Sequence, residues 1–168
     1  RVKYISATKF IAVYVDSNTY PEVVICTISG TTITVGTPLQ LGTNATYSID
    51  VAVLTTTKMM ITWRDFGGTP QLRGCIIDIS GTTITNVSGS TLIHSTDPGD
   101  VRMCTLSSTR ALVSYQDSSI NSMTVRVLDV VGSGATISAN ANTNFTGSTH
   151  IAEARSLIAL SSSKAIAI

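Results

Sequence analysis

The chain has 168 residues, 11 basic and 10 acidic, for a formal net charge of +1. That balance excludes a strongly basic nucleic-acid binder and an acidic tail. Only 12% of residues are charged against 43% apolar, and more than a quarter are Ser or Thr, so this Thr-, Val-, Ile- and Gly-rich chain reads as all-β with a core for one domain.

Arg1 to Ile5 reads as a first strand, a. The turn Ile5-Ser6-Ala7-Thr8-Lys9 leads into strand b, which ends on Tyr14-Val15-Asp16. After a loop (16–22) comes strand c. It closes at Ile28-Ser29-Gly30-Thr31-Thr32-Ile33-Thr34, a tight hairpin in which Gly can take a positive φ. The same signatures then return. In the second unit strand a carries Ile49, Val51 and Val53, and the turn is Leu54-Thr55-Thr56-Thr57-Lys58. Strand b sets Met59, Ile61 and Trp63 on one face and ends on Trp63-Arg64-Asp65. Strand c runs from Arg73 to Ile79, the hairpin is Ser80-Gly81-Thr82, and strand d runs from Thr83 to Val87. A polar segment, Ser88 to Asp100, reaches the third unit. There Leu106-Ser107-Ser108-Thr109-Arg110, Tyr115-Gln116-Asp117 and a looser hairpin, Val130 to Ile137, recur in the same order. Leu160-Ser161-Ser162-Ser163-Lys164 opens a fourth. No stretch keeps a helical period. The longest uncharged run, Val23 to Ile49, is broken by Thr, Gly and Pro38 and fails as a membrane span.

Four antiparallel strands repeated every ~50 residues are the β-propeller pattern. Over its whole length the chain resembles the repeat propellers of secreted bacterial and phage surface proteins. The resemblance is of architecture. The kelch double glycine occurs once, at Gly67-Gly68, no Trp-Asp pair closes strand c, and no Asp-x-Asp-x-Asp-Gly loop is present, so no family's functional residues carry over. The expected organisation is one repeat domain, 1–168, with blades at 1–48, 49–100 and 101–154 and the first two strands of a fourth at 155–168. A β-solenoid is the alternative fold. Arg1 in place of Met suggests a processed chain or an excerpt. The half blade predicts continuation past Ile168, or other chains or further blades completing the ring, because Ala165 to Ile168 would otherwise be an apolar open edge.

The a–b and c–d turns are short and share one end. The b–c loops (16–22, 65–72, 117–124) and d–a loops (36–47, 87–99, 139–150) are long and share the other, where function is expected. Its repeated feature is the aromatic-x-Asp pair: Tyr14 and Asp16, Trp63 and Asp65, Tyr115 and Asp117. One reading is a ring that holds a sugar or a cation. The favoured reading is that each Asp accepts amide hydrogen bonds in its own loop while the aromatic packs between blades. A unique site would use residues that break the repeat: His94, Asp97 and Asp100 in one loop, and Tyr47, Phe145 and His150 in others. Lys9, Lys58, Arg110 and Lys164 form a ring at the opposite end, read mainly as solvated hairpin ends.

Three cysteines, Cys26, Cys75 and Cys104, show no close pair, so buried thiols are expected rather than zinc or a cofactor. The sequons at Asn44, Asn86 and Asn144 are about as many as chance supplies in so Thr-rich a chain. Glu occurs only at 22 and 153 and His only at 94 and 150, and no Gly-x-Ser-x-Gly, His-Glu-x-x-His or phosphate loop is present, which argues against a hydrolase. The expectation is a non-enzymatic binding module of a secreted, cell-surface or virion-surface propeller, recognising glycan or protein as in adhesion, without nucleic acid or membrane insertion. The alternative is a structural repeat of a fibre, sheath or particle.

Overall fold

The computed structural model describes residues 1–133, 136–145 and 156–167, with backbone alone at Phe145 and Ala167. These residues form strands and no helix. The first sheet holds β1 (Val2–Ser6), β2 (Lys9–Val15), β3 (Pro21–Ser29), β4 (Thr32–Val35) and β5 (Leu39–Gln40). The second holds β6 (Thr46–Val53), β7 (Lys58–Asp65), β8 (Gln71–Ser80), β9 (Thr83–Val87) and β10 (Thr91–His94). The third holds β11 (Arg102–Ser107), β12 (Arg110–Asp117), β13 (Ser122–Val131), β14 (Thr136–Ala139) and β15 (Thr143–Phe145), and a hairpin of β16 (Leu157–Ser161) and β17 (Lys164–Ala167) follows. Among the described residues every strand-to-strand pairing is antiparallel and stays within one unit, as in propeller-like blades, while one isolated bridge, Pro98 with Asp117, joins the second unit to the third. A solenoid would stack parallel strands from successive coils instead. The described strands do not close a ring.

Turn chemistry fixes each unit locally. Gly30 and Gly81 have φ of +58° and +62° at the first of two loop residues, as a type II′ hairpin requires. In the a–b turns the N–H of Thr57, Thr109 and Ser163 donates to the hydroxyl of Thr55, Ser107 and Ser161, each at 3.2 Å. Hydroxyls two residues upstream of a turn amide are the physical reason these Ser/Thr tripeptides recur.

The segments 36–47, 87–99 and 139–150 differ from the loops expected of them. In each, a second short strand (β5, β10, β15) returns to the same edge of strand c as β4, β9 and β14. Strand d is thus broken in two. At the break Gly36, Ser88 and Asn140 donate their N–H to the carbonyls of Ile25, Ile76 and Val127 at 2.9, 2.8 and 3.0 Å. The second pieces span 2, 4 and 3 residues, too short for a period-2 signal. They form because the rest of strand c still offers backbone groups that need partners.

The core lies between blades. Ile11, Val13, Val23 and Ile25 of the first sheet pack against Met59, Ile61, Trp63, Cys75 and Ile77 of the second. The other face of the second sheet, with Met60, Leu72, Ile76 and Ile93, packs against Met103, Val113, Tyr115 and Leu128 of the third. The second sheet is therefore covered on both sides, and in β7 both Met59 and Met60 are fully buried. Each such side chain contributes about 1.5–3 kcal/mol of apolar burial. The inner strands are stitched by polar contacts as well. Asp50, 2% exposed, accepts the Met103 N–H at 2.9 Å, and the Thr105 hydroxyl donates to the Val53 carbonyl at 2.9 Å.

Candidate functional site

Asp16, Asp65 and Asp117 stand at the end of strand b or just past it, and each turns its carboxylate into its own b–c loop. Asp16 Oδ1 accepts the N–H of Asn18 at 2.9 Å and of Tyr20 at 2.7 Å. Asp65 Oδ1 accepts the Gly67 N–H at 2.9 Å and the Asn44 side-chain amide at 2.9 Å. Asp117 Oδ1 accepts the Ser119 N–H at 3.1 Å and hydroxyl at 2.6 Å. Orphan loop amides are thereby satisfied, which is the favoured sequence reading of the repeat. Trp63 and Tyr115 are 1% and 0% exposed between blades. The Tyr115 hydroxyl donates to Asn142 Oδ1 at 3.3 Å, and burial pushes its pKa up to about 12. Tyr14 holds the same register position on the uncovered face of the first sheet. There a hydrogen bond with Glu22, then burial, pushes it up to about 12.

Of the repeat-breaking residues, Tyr47 and Asp97 come together at the second blade, on Phe66 and Arg64. The Tyr47 ring meets the Phe66 ring edge-on at 4.8 Å between centroids. The Arg64 guanidinium lies over the Phe66 ring at 4.3 Å and pairs with the Asp97 carboxylate. Tyr47 is 67% exposed and Phe66 partly so. Arg64 and Phe66 escaped the sequence reading. The available signal was a break in the repeat, since blades one and three carry Ser17 and Ser118 where Phe66 stands, and Val15 and Gln116 where Arg64 stands.

His94 ends β10 and reaches into the third blade. Its Nε2 lies 3.0 Å from Asp117 Oδ2 and 2.8 Å from the Thr96 hydroxyl, and its ring stacks obliquely on Tyr115 at 4.9 Å. Burial lowers its pKa below the ordinary value, with Asp117 opposing and nearby Arg126 assisting. Asp117 and Thr96 meet the same ring nitrogen, whereas a proton relay needs one partner on each. The dyad therefore reads as an inter-blade latch. Asp100 pairs with Arg102 at 3.0 Å. His150 and the side chain of Phe145 lie outside the described residues.

At the other end the repeated cations are largely committed. Lys58 meets Asp78 at 2.5 Å and Arg110 meets Asp129 at 2.6 Å, and these cations hold both carboxyls below their ordinary range. Lys9 Nζ reaches the Gly81 carbonyl at 3.3 Å, and Lys164 is exposed. Along the axis the four inner strands line a cleft of about 550 Å³ that includes Tyr4, Val53, Thr105 and Ile158. Cys26, Cys75 and Cys104 are buried free thiols. Among the described residues no three His, Cys, Asp or Glu side chains converge as metal ligands do. No family model, curated protein or solved structure matches this chain.

Proposed function

We propose that the chain is a non-enzymatic recognition module that binds glycan at the long-loop end of its second blade. The supporting observation is the Tyr47–Phe66–Arg64–Asp97 cluster. It joins exposed aromatic surface, suited to the C–H face of a sugar ring, to a guanidinium–carboxylate pair, suited to hydroxyls. It is built from residues the other blades lack, as a single site on a repeat scaffold requires. The low charge and Ser/Thr-rich composition support a secreted, cell-surface or virion-surface setting. The test is retention on a glycan array by the wild type and by Tyr47→Ala and Phe66→Ala, with circular dichroism as the control for folding. Retention lost in both variants supports the reading, and retention indifferent to both refutes it.

A second reading, a structural repeat within a larger assembly, is favoured by one observation. The outer face of the first sheet leaves Val2, Tyr4, Ile33 and Val35 between 57% and 71% exposed. Equivalent faces of the second and third sheets are covered by the preceding blade.

A further inference from the structure

The two charges of the aromatic patch cancel, and the carboxylate is held in place from behind. Arg64 donates from Nη2 to Asp97 Oδ1 while its guanidinium lies over the Phe66 ring. Its Nε is buried and has no partner among the described residues, so the donors it still offers to solvent are on its Nη atoms. The Asp97 side chain is 46% exposed, and among the described residues its Oδ2 accepts no hydrogen bond. The segment that carries Asp97 is fastened to the third blade. The Asp97 carbonyl accepts the Ser118 N–H at 3.3 Å, the Gly99 N–H donates to the Gln116 carbonyl at 2.6 Å, and Pro98 bridges to Asp117. A Cβ at Gly99 would lie 2.7 Å from Gln116 Cβ, so this segment sits flush against β12. Arg73 lies 3.7 Å from Asp65, and Arg102 lies 3.0 Å from Asp100. Each of these three arginines therefore has its own counter-charge.

We propose, resting on the glycan reading above, that the site takes uncharged sugars with adjacent free hydroxyls, and that Asp97 is the residue that turns away acidic ones such as uronates, sialic acids and sulfated sugars. One hydroxyl donates to Asp97 Oδ2 while its neighbour accepts from an Arg64 Nη. The Arg64–Asp97 pair then stays intact, and both new hydrogen bonds are charge-assisted. The exposed Tyr47 ring receives the C–H face of the same sugar. A carboxylate or sulfate brought to Arg64 meets the Asp97 charge at close range, and such like-charge contact suppresses the wrong ligand. The anchors on the third blade restrict how far Asp97 can withdraw to relieve it.

The test is an array carrying neutral and acidic glycans side by side. It is probed with the wild type, Tyr47→Ala, Phe66→Ala, Asp97→Asn, and Asp97→Asn combined with Arg64→Gln. The wild type is expected on neutral sugars alone. Asp97→Asn keeps the size of the side chain and removes its charge. It should weaken neutral retention about tenfold, as loss of one charge-assisted hydrogen bond implies. It should also raise retention on uronate and sialic acid spots about tenfold, by an amount that fades as salt rises. Arg64→Gln in the same chain should abolish that gain. A gain of binding cannot come from a chain that failed to fold. Wild-type retention that needs Tyr47 and Phe66 yet includes acidic sugars overturns this inference and leaves the glycan reading standing. So does discrimination that Asp97→Asn leaves unchanged, or a gain that survives Arg64→Gln. Retention indifferent to Tyr47 and Phe66, or none at all, overturns both.

Discussion

His94 Nε2 lies 3.0 Å from Asp117 Oδ2 and so ties the last strand of the second blade to strand b of the third. Asp117 also holds its own b–c loop through Ser119. One carboxylate therefore organises a loop and a blade interface together.

This dyad carries a pH dependence. Burial lowers the His94 pKa in the folded chain below the ordinary histidine value of 6.5, so the unfolded chain takes up the proton first. Stability then rises with pH wherever the unfolded state binds more protons. The contribution is fully present above pH 6.5 and is lost as pH falls through the folded pKa. Melting temperature followed from pH 8 to pH 5 should decline in the wild type more steeply than in His94→Gln, which carries no titrating ring. Parallel profiles would remove the dyad from the account.

Gly74 offers a sharper test of packing, because the repeat itself gives the wrong advice there. Its register positions in blades one and three are held by Val23 and Val125, which suggests Val as the repeat consensus. A Cβ at Gly74 would lie 2.8 Å from Ile93 Cδ1, 3.0 Å from the Ile61 carbonyl oxygen and 3.1 Å from Ile137 Cδ1. Ile93 from the broken outer strand and Ile137 from the next blade already fill that space. Gly74→Val should therefore destabilise by about 1–3 kcal/mol, the usual cost of overpacking. Urea denaturation checks it, and a neutral or stabilised variant would show that the interface can give way.

The carboxylates of the long-loop end are separable from a cation site by a simple addition. Asp65 accepts from Gly67 in its own b–c loop and from Asn44 in the segment before β6 and is 7% exposed. Asp65→Ala should cost about 1–3 kcal/mol by leaving those donors unpaired. Millimolar calcium should leave the wild-type melting temperature unchanged. A calcium-dependent rise that vanishes in Asp65→Ala would establish the cation ring instead.

What was legible in the sequence is what the chain decides over a few residues. The all-β class, the four-strand unit, the Gly30 and Gly81 hairpins and the hydroxyl-capped a–b turns each follow from φ preference, alternation or a hydrogen bond spanning two residues. The Asp of each aromatic-x-Asp pair was also readable as a loop cap, because the backbone amides that donate to it, at Asn18, Tyr20, Gly67 and Ser119, are close neighbours in the chain. The second half of strand d was not legible, since Thr91–His94 is too short to show a period and takes its place from the free edge of β8 and the burial of Ile93. The Phe66–Arg64 patch was hidden for a different reason: both residues look ordinary until Tyr47, at the start of β6, and Asp97, from the segment after β10, converge on them.

The sequence by itself determined the unit and its repetition, because turns and strand alternation are local and recur wherever the same few residues recur. The tertiary structure alone decided which face of each unit is sealed. Met60 and Leu112 hold the same register position, yet one is fully buried and the other partly exposed. Burial there depends on what packs opposite, and no residue carries that information about its own surroundings.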